Sequence, residues 1–310
     1  IDLGVDGFRM DAAMHYEEGS TEKNSEILNW LYTYCTSLNP DFYMVSEVWA
    51  NKSTIADYYA SETPSMFNFD TSSAEGCIAR AAMGTYSAQR FVECMLQYQE
   101  DYSSENKNYI DAPFLTNHDQ VRIANNLQGN ITNMKMAAGL LMMMNGSPFV
   151  YYGEEIGMES QGQEDENKRL PMRWSDEDTT GMTNGPEGCK NDIEYTIGAE
   201  DKQIDDEESL LNYYKRAILL RNQNPEIARG EIEIVDSLTA DKQAVITKTY
   251  DGSTIAIVYN TGDEAADIDL SKTALEGMEI CGTLTISPKE EIDMDGNTIK
   301  MPAKSIAILK

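Results

Sequence analysis

Three short segments place ionisable side chains where a fold could use them. In Gly7-Phe8-Arg9-Met10-Asp11, Arg9 and Asp11 are two residues apart on a predicted strand, so both point to one face. A neighbouring guanidinium favours the ionised carboxylate, though such a pair reads equally well as a buried ion pair. A second predicted strand ends in Ser46-Glu47-Val48-Trp49, which sets a Glu beside an aromatic ring, a setting that suits a general acid. A third ends in Thr116-Asn117-His118-Asp119-Gln120. The two histidines of the chain, His15 and His118, each follow a predicted strand in acidic surroundings. Strand ends that deliver Asp11, Glu47 and Asp119 together suit glycoside hydrolysis, which needs one ionised and one protonated carboxyl group. They would also suit a Mg²⁺ site, and spacing leaves both readings open.

Convergence of these groups requires a scaffold of alternating strands and helices. Apolar patterning predicts strands over 5–11, 42–48, 66–69, 112–116 and 147–152. It predicts helices over 23–38, 86–99, 133–144 and 209–222, the first with Ile27, Trp30, Leu31, Tyr34 and Leu38 on its apolar face. A β-α-β-α order implies a parallel sheet covered by helices, in which sites form at the C-terminal strand ends. The pattern changes near Pro225. Strand signals alone follow, at 232–235, 244–250, 254–259, 266–270, 284–287 and 305–309, separated by Asp-Gly, Thr-Gly-Asp and Asp-Gly-Asn turns. The expected organisation is an α/β unit over 1–228 and a small all-β unit over 229–310. Inside the first, residues 153–208 carry 18 acidic and 5 basic side chains, an insertion long enough to expect a function for it.

Charge excludes several partners. The 310 residues hold 53 acidic and 24 basic side chains, a net −29, which repels phosphate backbones and anionic membrane surfaces but tolerates a neutral sugar. The longest apolar run, 136–144, falls well short of the roughly 20 residues of a membrane span. Five scattered cysteines without a Cys-x-x-Cys pair argue against a disulfide framework and against a zinc site. A chain opening Ile1-Asp2-Leu3-Gly4-Val5, with no signal-like segment, is expected to start inside a longer sequence.

The segment Gly7-Phe8-Arg9-Met10-Asp11-Ala12-Ala13-Met14-His15 resembles the nucleophile strand of the α-amylase family of glycoside hydrolases. Val45-Ser46-Glu47-Val48-Trp49 resembles its acid/base strand, with Ser46 where Gly is commoner, and Phe114-Leu115-Thr116-Asn117-His118-Asp119 resembles its third signature. Gly146 through Glu155 resembles the eighth barrel strand and the segment after it, Leu170-Pro171-Met172-Arg173-Trp174 a loop of the family's α-glucosidases and some amylases, and 301–309 the end of its β-sandwich. The resemblance implies a partial (β/α)8 TIM barrel, about strands 4 to 8, followed by a C-terminal β-sandwich.

By the same resemblance Asp11 is the nucleophile, Glu47 the acid/base and Asp119 the residue that holds sugar hydroxyls. Arg9, Asn117, His118 and His15 are the substrate-binding residues. The implied activity is retaining cleavage of α-1,4 bonds in a neutral α-glucan or maltooligosaccharide, with no cofactor for the chemistry. A structural calcium ion is implied for the full-length protein, with the His15 backbone carbonyl as its ligand position. Transglycosylation by the same residues, or a non-catalytic carbohydrate-binding relative, are the alternatives, although such relatives typically lose the carboxylates kept here. Met14 stands where many amylases carry a Lys, which favours shorter substrates. Barrel strands 1 to 3, the Asp-x-x-x-Asn-His signature and the inserted calcium-binding domain have no counterpart. The missing strands are therefore expected to be needed for completion, and the chain alone is expected to be inactive. An extracellular setting is favoured over a cytoplasmic one.

Overall fold

The structure is a computed structural model that describes residues 1–190 and 193–310. Four short strands, β1 (Gly7–Met10), β2 (Tyr43–Ser46), β3 (Ser65–Asn68) and β4 (Ile110–Pro113), form a parallel sheet in sequence order. Parallel neighbours need crossovers. Here these are α1 (Thr21–Leu38), α2 (Lys52–Tyr59), and the pair α3 (Cys77–Ala82) and α4 (Ala88–Glu105). Ser20, Asn51 and Ser87 cap α1, α2 and α4, each side chain accepting a backbone N–H three residues on. At the start of β1 the backbones approach so closely that a Cβ on Gly7 would lie 2.3 Å from the Tyr43 carbonyl oxygen.

Beyond β4 come α5 (Ile123–Asn126), α6 (Ile131–Met142), α7 (Asp165–Lys168), α8 (Glu200–Gln203), α9 (Leu210–Gln223) and α10 (Pro225–Arg229). The predicted strand at 147–152 is not one. Ser147 and Phe149 donate backbone bonds to Asp111 and Pro113 of β4 (2.7 and 2.9 Å), but only a single bridge, Phe114 to Phe149, is completed. Among the described residues no strand lies on the far side of this segment or of β1, so the sheet is open at both ends and no barrel closes.

The open edge also corrects the reading of α1. Of its predicted core face, Ile27, Trp30, Tyr34 and Leu38 are exposed and only Leu31 packs against the core, while Asn24, Leu28 and Cys35 are buried. Phe8 and Val5 of the adjoining edge are partly exposed as well.

The C-terminal region has two antiparallel sheets. β5 (Glu231–Ile234), β6 (Gln243–Tyr250), β7 (Ser253–Asn260), β12 (Ser305–Leu309) and β9 (Ile280–Leu284) pair in that spatial order. β8 (Ala266–Asp269), β10 (Asp293–Asp295) and β11 (Thr298–Met301) form the smaller sheet, in the order β10-β11-β8. The predicted strand at 284–287 lies earlier, at β9, where the chain pairs with β12. Alternation explains the packing. On β7, Ile255, Ile257 and Tyr259 join the helical core, while Ala256 and Val258 face the core shared with the smaller sheet. Buried Lys248 ties this region to the helices, donating to the carbonyls of Met143 (2.9 Å) and Ile227 (2.7 Å).

Candidate active site

Register between β1 and β2 sets the first two carboxylates side by side. Arg9 lies opposite Val45 and Met10 opposite Ser46, and the pairing continues past the strands. The Glu47 amide donates to the Met10 carbonyl and the Ala13 amide to the Glu47 carbonyl, each at 2.9 Å. The chain then turns at Ala12, whose left-handed backbone (φ 44°) opens the 3₁₀ turn Ala13–His15. For a non-glycine residue that conformation costs about 1–2 kcal/mol. Tyr16 donates its hydroxyl to the Asp11 carbonyl at 2.9 Å, bracing the turn.

One guanidinium serves both acids. Arg9 donates through Nη1 to Asp11 Oδ1 and through Nη2 to Glu47 Oε2. Its rigid fork fixes the two carboxylates relative to one another. Their surroundings differ sharply, with 76% of the Asp11 side chain exposed against 10% of Glu47. Burial pushes the Glu47 carboxyl above its ordinary range; Arg9 opposes this, and the charges of Asp11 and Asp119 add to it.

Asp119 is held from four directions. Its amide donates to Asn117 Oδ1 at 2.9 Å, and His118 Nε2 lies 3.2 Å from Asp119 Oδ2. Arg169 Nη2 donates to Asp119 Oδ1 at 2.6 Å while its Nε donates to the His118 carbonyl at 3.1 Å. Lys168 Nζ donates to the Asp119 carbonyl at 3.0 Å. Asp165 on α7 braces both cations, at 3.0 Å from Lys168 and 3.1 Å from Arg169. Beneath them Arg122, fully buried, donates to the Lys168 and Tyr152 carbonyls (3.2 and 2.6 Å) and stacks on Tyr151 and Tyr152. The acidic segment 153–208 therefore supplies the clamp on Asp119. Pattern reading missed Arg169, Lys168 and Arg122. The available signal was Lys168-Arg169 as adjacent cations in a stretch otherwise dominated by acids.

Arg9, Glu47, Asn117 and His118 line one pocket of ≈170 Å³ with Thr116 and Tyr151. Its apolar wall is Phe67, Phe114 and Phe149, with Phe67 edge-on to the other two. A few convergent polar groups on an apolar wall is the pattern of a small-molecule site. Behind Thr116 sits Glu154, buried, accepting from Tyr214 (2.9 Å) and Thr116 (3.4 Å) and pushed up to about 8 by burial. Asp11 joins the pocket through Arg9, and Asp119 through His118. His15 does not join it. Its Nδ1 lies 3.0 Å from Glu18 Oε1 on the exposed turn.

No group of three or more His, Cys, Asp or Glu side chains among the described residues is arranged to hold a metal ion. No such group includes His15, at whose carbonyl the calcium ion was expected. The Mg²⁺ reading of the carboxylates meets a further obstacle, since Arg9 already places its positive charge between Asp11 and Glu47. Among the described residues no helix is long and apolar enough to cross a membrane.

The model of the α-amylase catalytic domain matches residues 1–230. Alpha-amylase 3 of Dictyoglomus thermophilum is 34% identical over 269 residues, covering 84% of this chain and 50% of that protein. A 4-alpha-glucanotransferase of Thermotoga maritima is 27% identical over 277 residues, covering 85% of this chain and 56% of that protein. The solved structure of Eubacterium rectale Amy13B superposes with a TM-score of 0.94 at 35% identity, over 100% of this chain and 60% of that one. The chain thus spans about half the length of the curated relatives it matches. With the family model covering most of its length, this chain belongs to the α-amylase family of glycoside hydrolases and their transferase relatives.

Proposed function

We propose that the enzyme carrying this chain cleaves α-1,4-glucosidic bonds with retention of configuration, through Asp11 as nucleophile and Glu47 as acid/base. The observation that carries the reading is the Arg9 fork, which ties an exposed carboxylate to a buried one. Asp11, paired with a cation, attacks the anomeric carbon. Glu47, whose burial favours the protonated form, gives its proton to the leaving oxygen. Once Asp11 is esterified its charge is gone, so Glu47 loses a source of its raised pKa and can deprotonate the incoming water. Asp119, fixed by Arg169 and His118, grips hydroxyls of the sugar in the pocket. Asn117 and His118 line the same pocket, and His15, outside it, is assigned no contact with the reacting sugar.

We also propose that β1 to β4 and the segment 147–152 correspond to strands 4 to 8 of a (β/α)8 barrel within residues 1–228, the last of them completed only when a preceding segment supplies its missing partner and closes the barrel, and that 229–310 form a β-sandwich. The unpaired β1 edge, the exposed Trp30 and Tyr34 of α1, and the half-length match to relatives support this. Transfer to a sugar hydroxyl instead of water would use the same residues, and the products formed from maltotriose separate the two.

The test is Glu47→Gln in the full-length enzyme, assayed on maltotriose and on α-maltosyl fluoride. Loss of general acid catalysis should lower the rate on maltotriose by roughly 10²- to 10⁴-fold. Fluoride leaves without a proton, so the first step on that substrate should be largely spared. Equal losses on both would refute the acid role.

A further inference from the structure

Two Asn-Gly pairs occur in the chain, Asn145-Gly146 and Asn184-Gly185. The pair is chemically reactive, because the glycine nitrogen can attack the side-chain carbonyl carbon of the asparagine before it. A glycine has no Cβ to crowd that approach. An attack within one chain needs no encounter, so the local geometry decides whether it proceeds. The structure holds the two pairs in opposite ways.

Asn145 follows α6, and both atoms of its carboxamide are tied down. Its Nδ2 donates to the Gly230 carbonyl at 2.8 Å, and its Oδ1 accepts from Lys248 Nζ at 2.5 Å. The Gly146 nitrogen, the attacking atom, donates to the Ala228 carbonyl at 2.9 Å. The Gly146 carbonyl accepts from buried Arg221 at 2.5 Å. Turning this carboxamide toward Gly146 would break two hydrogen bonds and leave a buried ammonium short of an acceptor. Asn184 lies in the acidic segment, exposed, with no helix or strand over 182–186. The turns on either side bond within themselves, Met182 to the Thr179 carbonyl at 3.1 Å and Cys189 to the Pro186 carbonyl at 3.2 Å. Among the described residues neither the Asn184 carboxamide nor the Gly185 nitrogen has a hydrogen-bond partner. Both residues line a groove of ≈580 Å³ with Arg173, Tyr195 and Leu170, which directly follows Arg169 of the clamp on Asp119.

We propose that Asn184-Gly185 is a self-modification site that converts in water to aspartate and isoaspartate, while Asn145-Gly146 is held inert. The chemistry balances as two steps. The Gly185 nitrogen loses its proton and attacks Asn184 Cγ. A C–N bond forms, the bond from Cγ to Nδ2 breaks, and the leaving nitrogen departs as ammonia, leaving a succinimide. Water then adds to either ring carbonyl and a ring C–N bond breaks, giving aspartate or its isomer with the backbone routed through Cγ. One water enters, one ammonia leaves, and nothing is oxidised or reduced. Either product adds a negative charge to the groove wall, and the isomer also lengthens the backbone there.

The experiment incubates the full-length enzyme at mildly alkaline pH in water enriched in heavy oxygen, then digests it and maps the peptides by mass spectrometry. The Asn184 peptide should become an acid that carries the label, as two separable isomers. Its conversion should be at least roughly tenfold faster than that of the Asn145 peptide. In urea the Asn145 ties are lost and the two rates should converge. Gly185→Ala, whose Cβ crowds the attacking nitrogen, should slow conversion at Asn184 and leave Asn145 unchanged. Three results would overturn the proposal: an Asn145 rate equal to that of Asn184 in the folded enzyme, an Asn184 that stays an amide while the urea-unfolded chain converts, or aspartate without its isomer at 184.

Discussion

Replacing Arg9 by Met in the full-length enzyme removes the cation between the two carboxylates and keeps most of the aliphatic stem. The loss divides unequally. A hydrogen bond to a charged partner contributes about 1.5–3 kcal/mol, and the Glu47 side of the fork, 10% exposed, qualifies for that range. The Asp11 side is 76% exposed, so solvent leaves it about 0–1 kcal/mol. Together these give about 1.5–4 kcal/mol, or a roughly 10- to 1,000-fold fall in kcat/KM at about 1.36 kcal/mol per decade. The pH profile should change in a definite direction. Arg9 is the main influence holding the Glu47 carboxyl down against burial, so its removal raises that group further. Glu47 then stays protonated to higher pH, and the basic limb of kcat/KM moves upward. Arg9→Lys, which keeps the charge but not the fork, should restore the limb more fully than the rate. The assay is kcat/KM on a chromogenic α-maltooligoside across the pH range. An unchanged rate, or a basic limb that moves downward, would remove Arg9 from this role.

Three further outcomes are expected. Arg169→Gln breaks the 2.6 Å bond to Asp119 but leaves the Asn117 and Lys168 contacts, so kcat/KM on maltotriose should fall roughly 5- to 30-fold, for about 1–2 kcal/mol of a half-exposed ion pair; no change would remove Arg169 from the site. Glu154, raised from 4.5 to about 8, favours folding most below pH 4.5 and loses that contribution as pH rises through about 8. Calorimetry should therefore show Glu154→Gln flattening the decline in Tm between these values, with the share from Asp111, pushed up to about 7, persisting; an unaltered slope would contradict the assignment. Small, unbranched Ala12 in its left-handed turn beside Asp11 predicts faster turnover of maltotriose than of isomaltose, graded at about 1–3 kcal/mol, and the reverse order would sink the linkage claim.

Much of the candidate site was legible because its signals are local. Arg9 and Asp11 sit two apart at a strand end, Glu47 directly follows β2 and Asp119 lies in the loop after β4, so spacing alone pointed to three carboxylates at one end of a sheet. The clamp on Asp119 was not legible. Arg169 reaches it across 50 residues of chain through a segment without periodicity, and no local pattern encodes that return. The α1 helix teaches a different limit. Periodicity told that Ile27, Trp30, Leu31, Tyr34 and Leu38 share an apolar face, but not what covers it, and here only Leu31 packs against the core while the other four are exposed. The strand expected at 147–152 failed for a related reason. Its residues have the composition of a strand, but a ladder needs partners on the far side, and it finds only β4. In the C-terminal region β7 read correctly, since burial on both faces gives it an almost unbroken apolar run. The β10–β11 hairpin was passed over because its strands, Asp293–Asp295 and Thr298–Met301, are short and rich in polar residues.

The central claim is that Asp11 forms a covalent bond to the sugar, with Glu47 serving first as acid and then as base. Trapping tests it most directly. The full-length enzyme with Glu47→Gln is incubated with a 5-fluoro-α-glycosyl fluoride, digested, and the labelled peptide sequenced by mass spectrometry. One glycosyl group on Asp11 is expected, with an α-anomeric first product from the unsubstituted enzyme. A label on Asp119 or Glu47, or a β-anomeric first product, would contradict it.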